Sequence, residues 1–150
     1  MDLSFLKTFI ESDMMPFAHT LGLQVADASP TKVSLALPDK KSNHNHVGFA
    51  HAGAQYTLAE LTSGAMSFAA LAELAGQFDL LMLQGTINYL KRGDGDLYSV
   101  AEMSPEQAAQ LREELTITGR AKTPQKVELF KADGTKIAEA DFLVYLRLNQ

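Results

Sequence analysis

The chain has 150 residues, 46% of them hydrophobic and 21% charged, with a net charge of −5 at pH 7. That is enough for one domain with a real core, residues 1–150, and too little for two. The absence of cysteine excludes disulfide frameworks, thiolate nucleophiles, cysteine zinc sites and iron–sulfur clusters, and the acidic balance with scattered Lys and Arg argues against a nucleic-acid partner.

Met1 to Glu11 carries Asp2, Lys7 and Glu11 inside an apolar stretch. It therefore lacks the basic start, apolar middle and small-residue cleavage site of an export signal, and cytoplasm is the expected location. Phe5, Leu6, Phe9 and Ile10 recur at near-helical spacing between Ser4, an N-cap candidate, and Pro16. This predicts a short amphipathic helix lying against the body as a lid. Leu21 to Ala28 and Thr31 to Leu37 read as a hairpin around Ser29-Pro30, and Asp39 to Gly48 as a polar loop of the kind that carries function.

Ala52 to Leu74 is apolar but holds Glu60, Glu73, Gln55, Thr57, Thr62, Ser63 and Ser67, too many polar groups for a bilayer span. It reads as a buried helix of about 23 residues and about 35 Å, entered at Gly53 and closed by a left-handed Gly76. Leu80 to Lys91 reads as a strand with Leu81, Leu83, Ile87 and Tyr89 on one face and Gln84, Thr86 and Asn88 on the other. Gly93-Asp94-Gly95-Asp96 reads as a hairpin turn into Leu97 to Met103. Ser104 and Pro105 announce a short exposed helix to Leu115. Strands are expected at Thr116 to Lys122, Lys126 to Lys131 and Lys136 to Leu148, with a turn at Asp133-Gly134.

A helix apolar on every side must be enclosed, and the economical enclosure is an antiparallel sheet of about six strands curled around it, an α+β architecture. Such a sheet keeps two open edges, one of them expected to pair with a second copy.

Glu60 stands mid-helix among Tyr56, Leu58, Ala59, Leu61 and Ala65, where an unpartnered carboxylate costs several kcal/mol in desolvation. Either it lies on a solvent stripe, or it is satisfied by Ser63 or a cation across an interface, or it faces a functional cleft. At the helix entrance, Gly53 leaves first-turn amides uncovered at the positive end of the dipole, a ready site for a carbonyl oxygen. Seven residues separate the two, so they share a face but lie about 10 Å apart along the axis. A two-fold dimer with antiparallel helices places Glu60 of one copy opposite Gly53 of the other.

The run Asn45-His46-Val47-Gly48-Phe49-Ala50-His51-Ala52-Gly53-Ala54-Gln55-Tyr56-Thr57-Leu58-Ala59-Glu60, followed by Gly64, resembles the hotdog-fold acyl-CoA thioesterases of the phenylacetate-pathway, PaaI-like type. It looks closer still to a branch of uncharacterised hotdog proteins that write the entrance as His-Ala-Gly and the acid as Leu-Ala-Glu. Ile87 to Arg92 and Gly95-Asp96-Leu97 resemble the family's next strand and turn.

The resemblance implies that Glu60 is the catalytic carboxylate, as base or as nucleophile forming a mixed anhydride. It implies that the Gly53 amide holds the thioester oxygen, that Asn45 positions the carbonyl or the water, and that His51 with Ala52 shapes the entrance. Ser63 and Gly64 would face the substrate, and Lys91 and Arg92 would meet coenzyme A phosphates or simply end an exposed strand. The only cofactor-like group implied is coenzyme A as part of the substrate. The implied assembly is a homodimer, paired again into a homotetramer. The sequence departs from the family's pattern in Ala52, where a second Gly is common, in Glu60, where many relatives have Asp, and in Met82 and Gln84, where some carry a hydroxyl.

His44, His46 and His51 could be ligands to a metal, but no fourth ligand is suggested and no metal is expected. Phe5, Phe9, Met14, Met15, Phe17, Tyr56, Met66, Phe68 and Met82 suit either core or an acyl pocket. A non-catalytic acyl-CoA sensor is the rival to hydrolysis, and a hydratase ranks below both.

Overall fold

In the computed structural model, which describes residues 3–149, the chain runs α1 (Ser4–Ile10), α2 (Pro16–Leu21), β1 (Gln24–Ser29), β2 (Lys32–Leu37), α3 (Ala52–Ala70), β3 (Phe78–Tyr89), β4 (Leu97–Glu102), α4 (Pro105–Thr118), β5 (Arg120–Lys131) and β6 (Lys136–Leu148). Single 3₁₀ turns stand at Lys41–Asn43 and Ala72–Leu74. Met1 and Asp2, part of the stretch read for an export signal, lie outside the described residues, as does Gln150. Among the described residues no helix is long and apolar enough to cross a membrane.

The six strands form one antiparallel sheet in the order β1-β2-β4-β5-β6-β3, wrapped around α3. This is the hotdog arrangement that the sequence resemblance implies. Leu35, Leu129, Ile137 and Leu146 of the sheet and Leu58 and Met66 of α3 are fully buried, each side chain contributing about 1.5–3 kcal/mol. Three polar residues of α3 enter the interior by bonding back to their own helix. Thr57 Oγ1 donates to Gly53 O (2.8 Å), Thr62 Oγ1 to Leu58 O (2.6 Å) and Ser67 Oγ to Ser63 O (3.3 Å). Thr62 also meets Ser99 Oγ of β4 at 2.5 Å, a hydroxyl pair pinning helix to sheet.

Several expected elements differ. Pro16 does not end the first helix, which stops at Ile10; it is the first residue of α2, which closes on Gly22 in the left-handed region (φ 73°), so the strand begins at Gln24 rather than Leu21. Ser4 is the first helical residue of α1, and the cap position falls on Leu3. The long helix has 19 residues, about 28 Å. Its last predicted turn is 3₁₀, with Gly76 left-handed (φ 79°) as expected.

Thr116 to Thr118 are helical, because Thr116 and Thr118 hydroxyls bond back to the Arg112 and Glu114 carbonyls and the stop falls on Gly119 (φ 75°). Leu111 and Leu115 hold that helix to the body, and the cap expected at Ser104 is in the structure a capping box, with Gln107 as reciprocal partner. The two strands predicted across Thr116 to Lys131 are one, β5. Pro124 interrupts nothing, since β4 pairs only with Val127 to Lys131 and the half of β5 that holds Pro124 has β6 as its sole neighbour in the sheet.

The predicted hairpin at Gly93-Asp94-Gly95-Asp96 is absent. β3 pairs with β6, at the far edge, and β4 pairs with β2 and β5, so residues 90–96 cross the end of the sheet. Leu90 N and Lys91 N both donate to Ile137 O (2.8 and 3.1 Å), and Gly93 O accepts from Ala50 N (2.9 Å).

The face reading of β3 also changes. A bulge between Met82 and Gln84 resets the alternation, leaving Leu80, Met82, Gly85 and Ile87 toward the helix and Leu81 (61%) and Leu83 (50%) exposed.

Gly85 has a packing reason to be glycine. A Cβ there would stand 2.3 Å from Tyr56 Oη and 2.5 Å from Phe142 Cε1, whose rings meet edge-on at 5.4 Å. Gly85→Ala is therefore expected to cost about 1–3 kcal/mol of unfolding free energy, read from urea melts. Melts that coincide with wild type would show the aromatic pair yielding freely.

Candidate functional site

The entrance to α3 is built by a buried asparagine. Asn43, 2% exposed, donates from Nδ2 to Leu21 O (2.8 Å) and Pro38 O (3.2 Å), while its carbonyl accepts from His51 N (2.8 Å). These bonds fix the loop so that the helix starts at Ala52. His51 is the N-cap. Its Nδ1 accepts from Gly53 N at 2.9 Å, which places the imidazole proton on Nε2.

The amide expected to hold a thioester oxygen thus has an exposed, movable imidazole as its resting partner. Asn45 is engaged differently from expectation. Its Oδ1 accepts from Val47 N (3.0 Å) and Phe49 N (3.1 Å), closing the turn that presents residues 46–48. The oxygen braces the loop, and the carboxamide nitrogen is the group left to act outward.

The crossover after β3 brings the basic pair to the same place. Through the Gly93–Ala50 bond, Lys91 and Arg92 lie beside the entrance, with the Arg92 guanidinium 4.4 Å above the Phe49 ring. Both side chains are exposed.

Tyr89, at the end of β3, donates from its hydroxyl to Ala52 O (2.8 Å) and ties the edge strand to the first turn of α3. Burial and neighbouring Tyr56 push its phenol above the ordinary value. Sequence reasoning sought a strand hydroxyl at Met82 and Gln84 and missed Tyr89. The available signal was an aromatic with a polar tip ending the strand that leads back to the helix entrance.

Glu60 lies on the stripe of α3 that the fold covers least, which runs through Gly53, Tyr56, Glu60 and Leu61. It borders a small cavity of about 40 Å³ lined by Leu6, Phe9, Ile10 and Met15 from the N-terminal segment and by Gly64 and Phe68 from its own helix. Burial pushes its carboxyl above the ordinary value. Among the described residues no cation or donor reaches the carboxylate.

The Ser63 alternative weighed from sequence is not realised. Ser63 donates to the Glu60 main-chain carbonyl (2.7 Å), not to its carboxylate, and faces Met82 Sδ at 4.0 Å. Gly64 is buried against Leu80, 3.5 Å from where its Cβ would be.

Gly53, His51, Ala52, Asn45, Lys91 and Arg92 thus gather at the helix entrance, while Glu60, Ser63 and Gly64 stand two turns along. The three histidines do not converge. His44 Nε2 meets Asp39 Oδ1 (2.5 Å), His51 caps the helix, and His46 is exposed. Among the described residues no group of three His, Asp or Glu is placed to hold a metal ion.

Residues 5–146 match the family described as a domain of unknown function, DUF4442. Among solved structures, the chain is similar to a protein of unknown function and probable thioesterase from Pseudomonas aeruginosa, 27% identical, covering 99% of this chain and 97% of that one at a TM-score of 0.84. It shares the fold of a protein of unknown function from Chlorobaculum tepidum (17% identity, 97% and 94% coverage, TM-score 0.87). The same holds for a thioesterase family protein from Silicibacter pomeroyi (22% identity, 95% and 94% coverage, TM-score 0.72). No curated protein matches the chain.

Proposed function

The chain belongs to the DUF4442 family of domains of unknown function, and we propose that it hydrolyses acyl thioesters, of coenzyme A or a related carrier, at sites shared between two copies. The observation that carries this reading is the Glu60 carboxylate, half-buried without a partner on the same helix stripe as Gly53. The Pseudomonas aeruginosa relative, a probable thioesterase, supports the reaction class.

Glu60 takes a proton from water as the water oxygen bonds to the thioester carbon. The developing oxyanion is held by the partner's Gly53 N–H, His51 having turned aside. Collapse breaks the C–S bond, and the proton returns from Glu60 to the departing thiolate. A thioester suits so small an apparatus because its carbonyl is weakly resonance-stabilised and a thiolate leaves without a strong acid. Lys91 and Arg92 at the entrance suit the phosphates of a coenzyme A carrier.

A second copy is needed because the two groups lie about 10 Å apart on one helix. Support for the pairing comes from β3, whose outer edge has no neighbour in the sheet and carries exposed Leu81 and Leu83. Pairing of dimers into tetramers extends the same reading.

The test is release of free thiol from a panel of acyl-CoA substrates by the purified dimer, with absence of thiol release from the whole panel as the opposing result. Binding without turnover is the second reading, favoured by the His51 Nδ1 already seated on the Gly53 amide. It predicts stabilisation by acyl-CoA in thermal-shift assays with no product.

A further inference from the structure

A cavity of about 830 Å³ opens beneath α1, between the N-terminal segment, the end of α3 and the start of β3. Its wall is chiefly hydrocarbon, including Phe5, Phe9, Met15, Phe68, Phe78 and Leu80, with Asp79 and Asn149 as polar points. The volume lies within the roughly 300–1,000 Å³ of ordinary small-molecule sites.

Three of its wall residues, Phe9, Met15 and Phe68, also wall the small cavity at Glu60. The carboxylate and the large apolar space are therefore separated only by side chains. Phe9 meets Phe68 edge-on at 5.9 Å, and Phe68 stacks on Phe78 at 5.1 Å. Met15 is unbranched and adaptable, and its neighbour Met14 is 64% exposed. A partition of two rings and a thioether can swing by rotamer changes without unfolding either helix.

We propose that this cavity holds the hydrocarbon tail of a fatty acyl thioester, with Phe9, Met15 and Phe68 as the movable wall between the tail and Glu60. The inference rests on the reading of Glu60 as the reacting carboxylate, and it adds the substrate class: aliphatic tails of medium length or longer. A short acyl group would fill only the space at Glu60, whereas each further methylene buried beneath α1 adds about fourfold in affinity at most.

Butyryl-CoA and dodecanoyl-CoA distinguish the cases, each measured for hydrolysis and, by calorimetry, for binding. Wild type is expected to favour dodecanoyl-CoA by at least about tenfold. Ala75→Trp, which fills the cavity far from Glu60, is expected to reduce that preference at least tenfold. Thr8→Trp, at a solvent-exposed point of the cavity wall, is the second filling variant should Ala75→Trp fail to fold.

Hydrolysis without chain-length preference, or a preference that both filling variants leave intact, overturns the tail site while leaving thioester hydrolysis standing. A preference in binding, erased by the filling variants but unaccompanied by thiol release, supports the tail site and removes the hydrolytic reading. If a filling variant changes the assembly mass and leaves the preference intact, the cavity is a contact between copies and the proposal falls.

Discussion

Glu60→Gln is expected to lower kcat/KM for acyl-CoA hydrolysis by about 10²–10⁴-fold while the assembly mass stays that of wild type. Glutamine keeps the size and shape of the side chain in its apolar setting, so the loss isolates proton acceptance from packing. The proposed reaction needs Glu60 ionised in wild type. Burial pushes its carboxyl above the ordinary value, so the acid limb of the rate profile should lie higher than an exposed glutamate would place it.

The same shift fixes the sign of a stability effect. Below the unfolded pKa both states hold the proton and the carboxyl exacts no ionic penalty. As pH rises through the higher folded value, the native state loses stability relative to the unfolded chain. Glutamine carries no such cost, so Glu60→Gln should melt higher than wild type at neutral pH, with the difference shrinking toward acid. A variant that is both fully active and less stable at neutral pH would identify Glu60 as a structural ion-pair partner.

What could be read from the residues and what could not divides along the range of the interactions. Local chemistry was legible: the cap at Ser104, the left-handed Gly76, the turn before β6, and the charge of Glu60 inside an apolar helix. Sheet order was not. Gly93-Asp94-Gly95-Asp96 has the composition of a hairpin turn, yet pairing is decided by how the strands enclose α3, and that sends β3 to the edge beside β6. One inserted residue at the β3 bulge reversed the faces of Leu81 and Leu83 because side-chain direction has period two.

At the site, Asn43 and Asn45 are indistinguishable as types in a polar loop; only the folded path shows that Asn43 is buried under three carbonyl-centred bonds while Asn45 closes a turn. The cavity beneath α1 depends on that helix folding back over residues more than fifty positions away, for which no local pattern exists.

Gly53→Pro is expected to cost about 10²–10³-fold in kcat, because proline deletes the one N–H proposed to hold the oxyanion. The helix survives the change. First-turn amides have no intrahelical partner, and proline is accepted at helix starts, so the structural loss is the His51 cap, about 1 kcal/mol, with some fraying at Ala52.

Gly53→Ala is the matched control. It keeps the amide, and its Cβ would meet only the exposed His51 ring, at 3.1 Å from Nδ1. Turnover by the proline variant within about threefold of the alanine variant would remove the amide from the mechanism.

Mixing the two lesions then asks where the partners of each site reside. A heterodimer of Gly53→Pro and Glu60→Gln chains contains one site with an intact acid from the first and an intact amide from the second. Co-refolded mixtures should therefore recover about a quarter of wild-type activity. Were each site built from a single chain, both lesions would stay uncompensated and the mixture would be as inactive as its components.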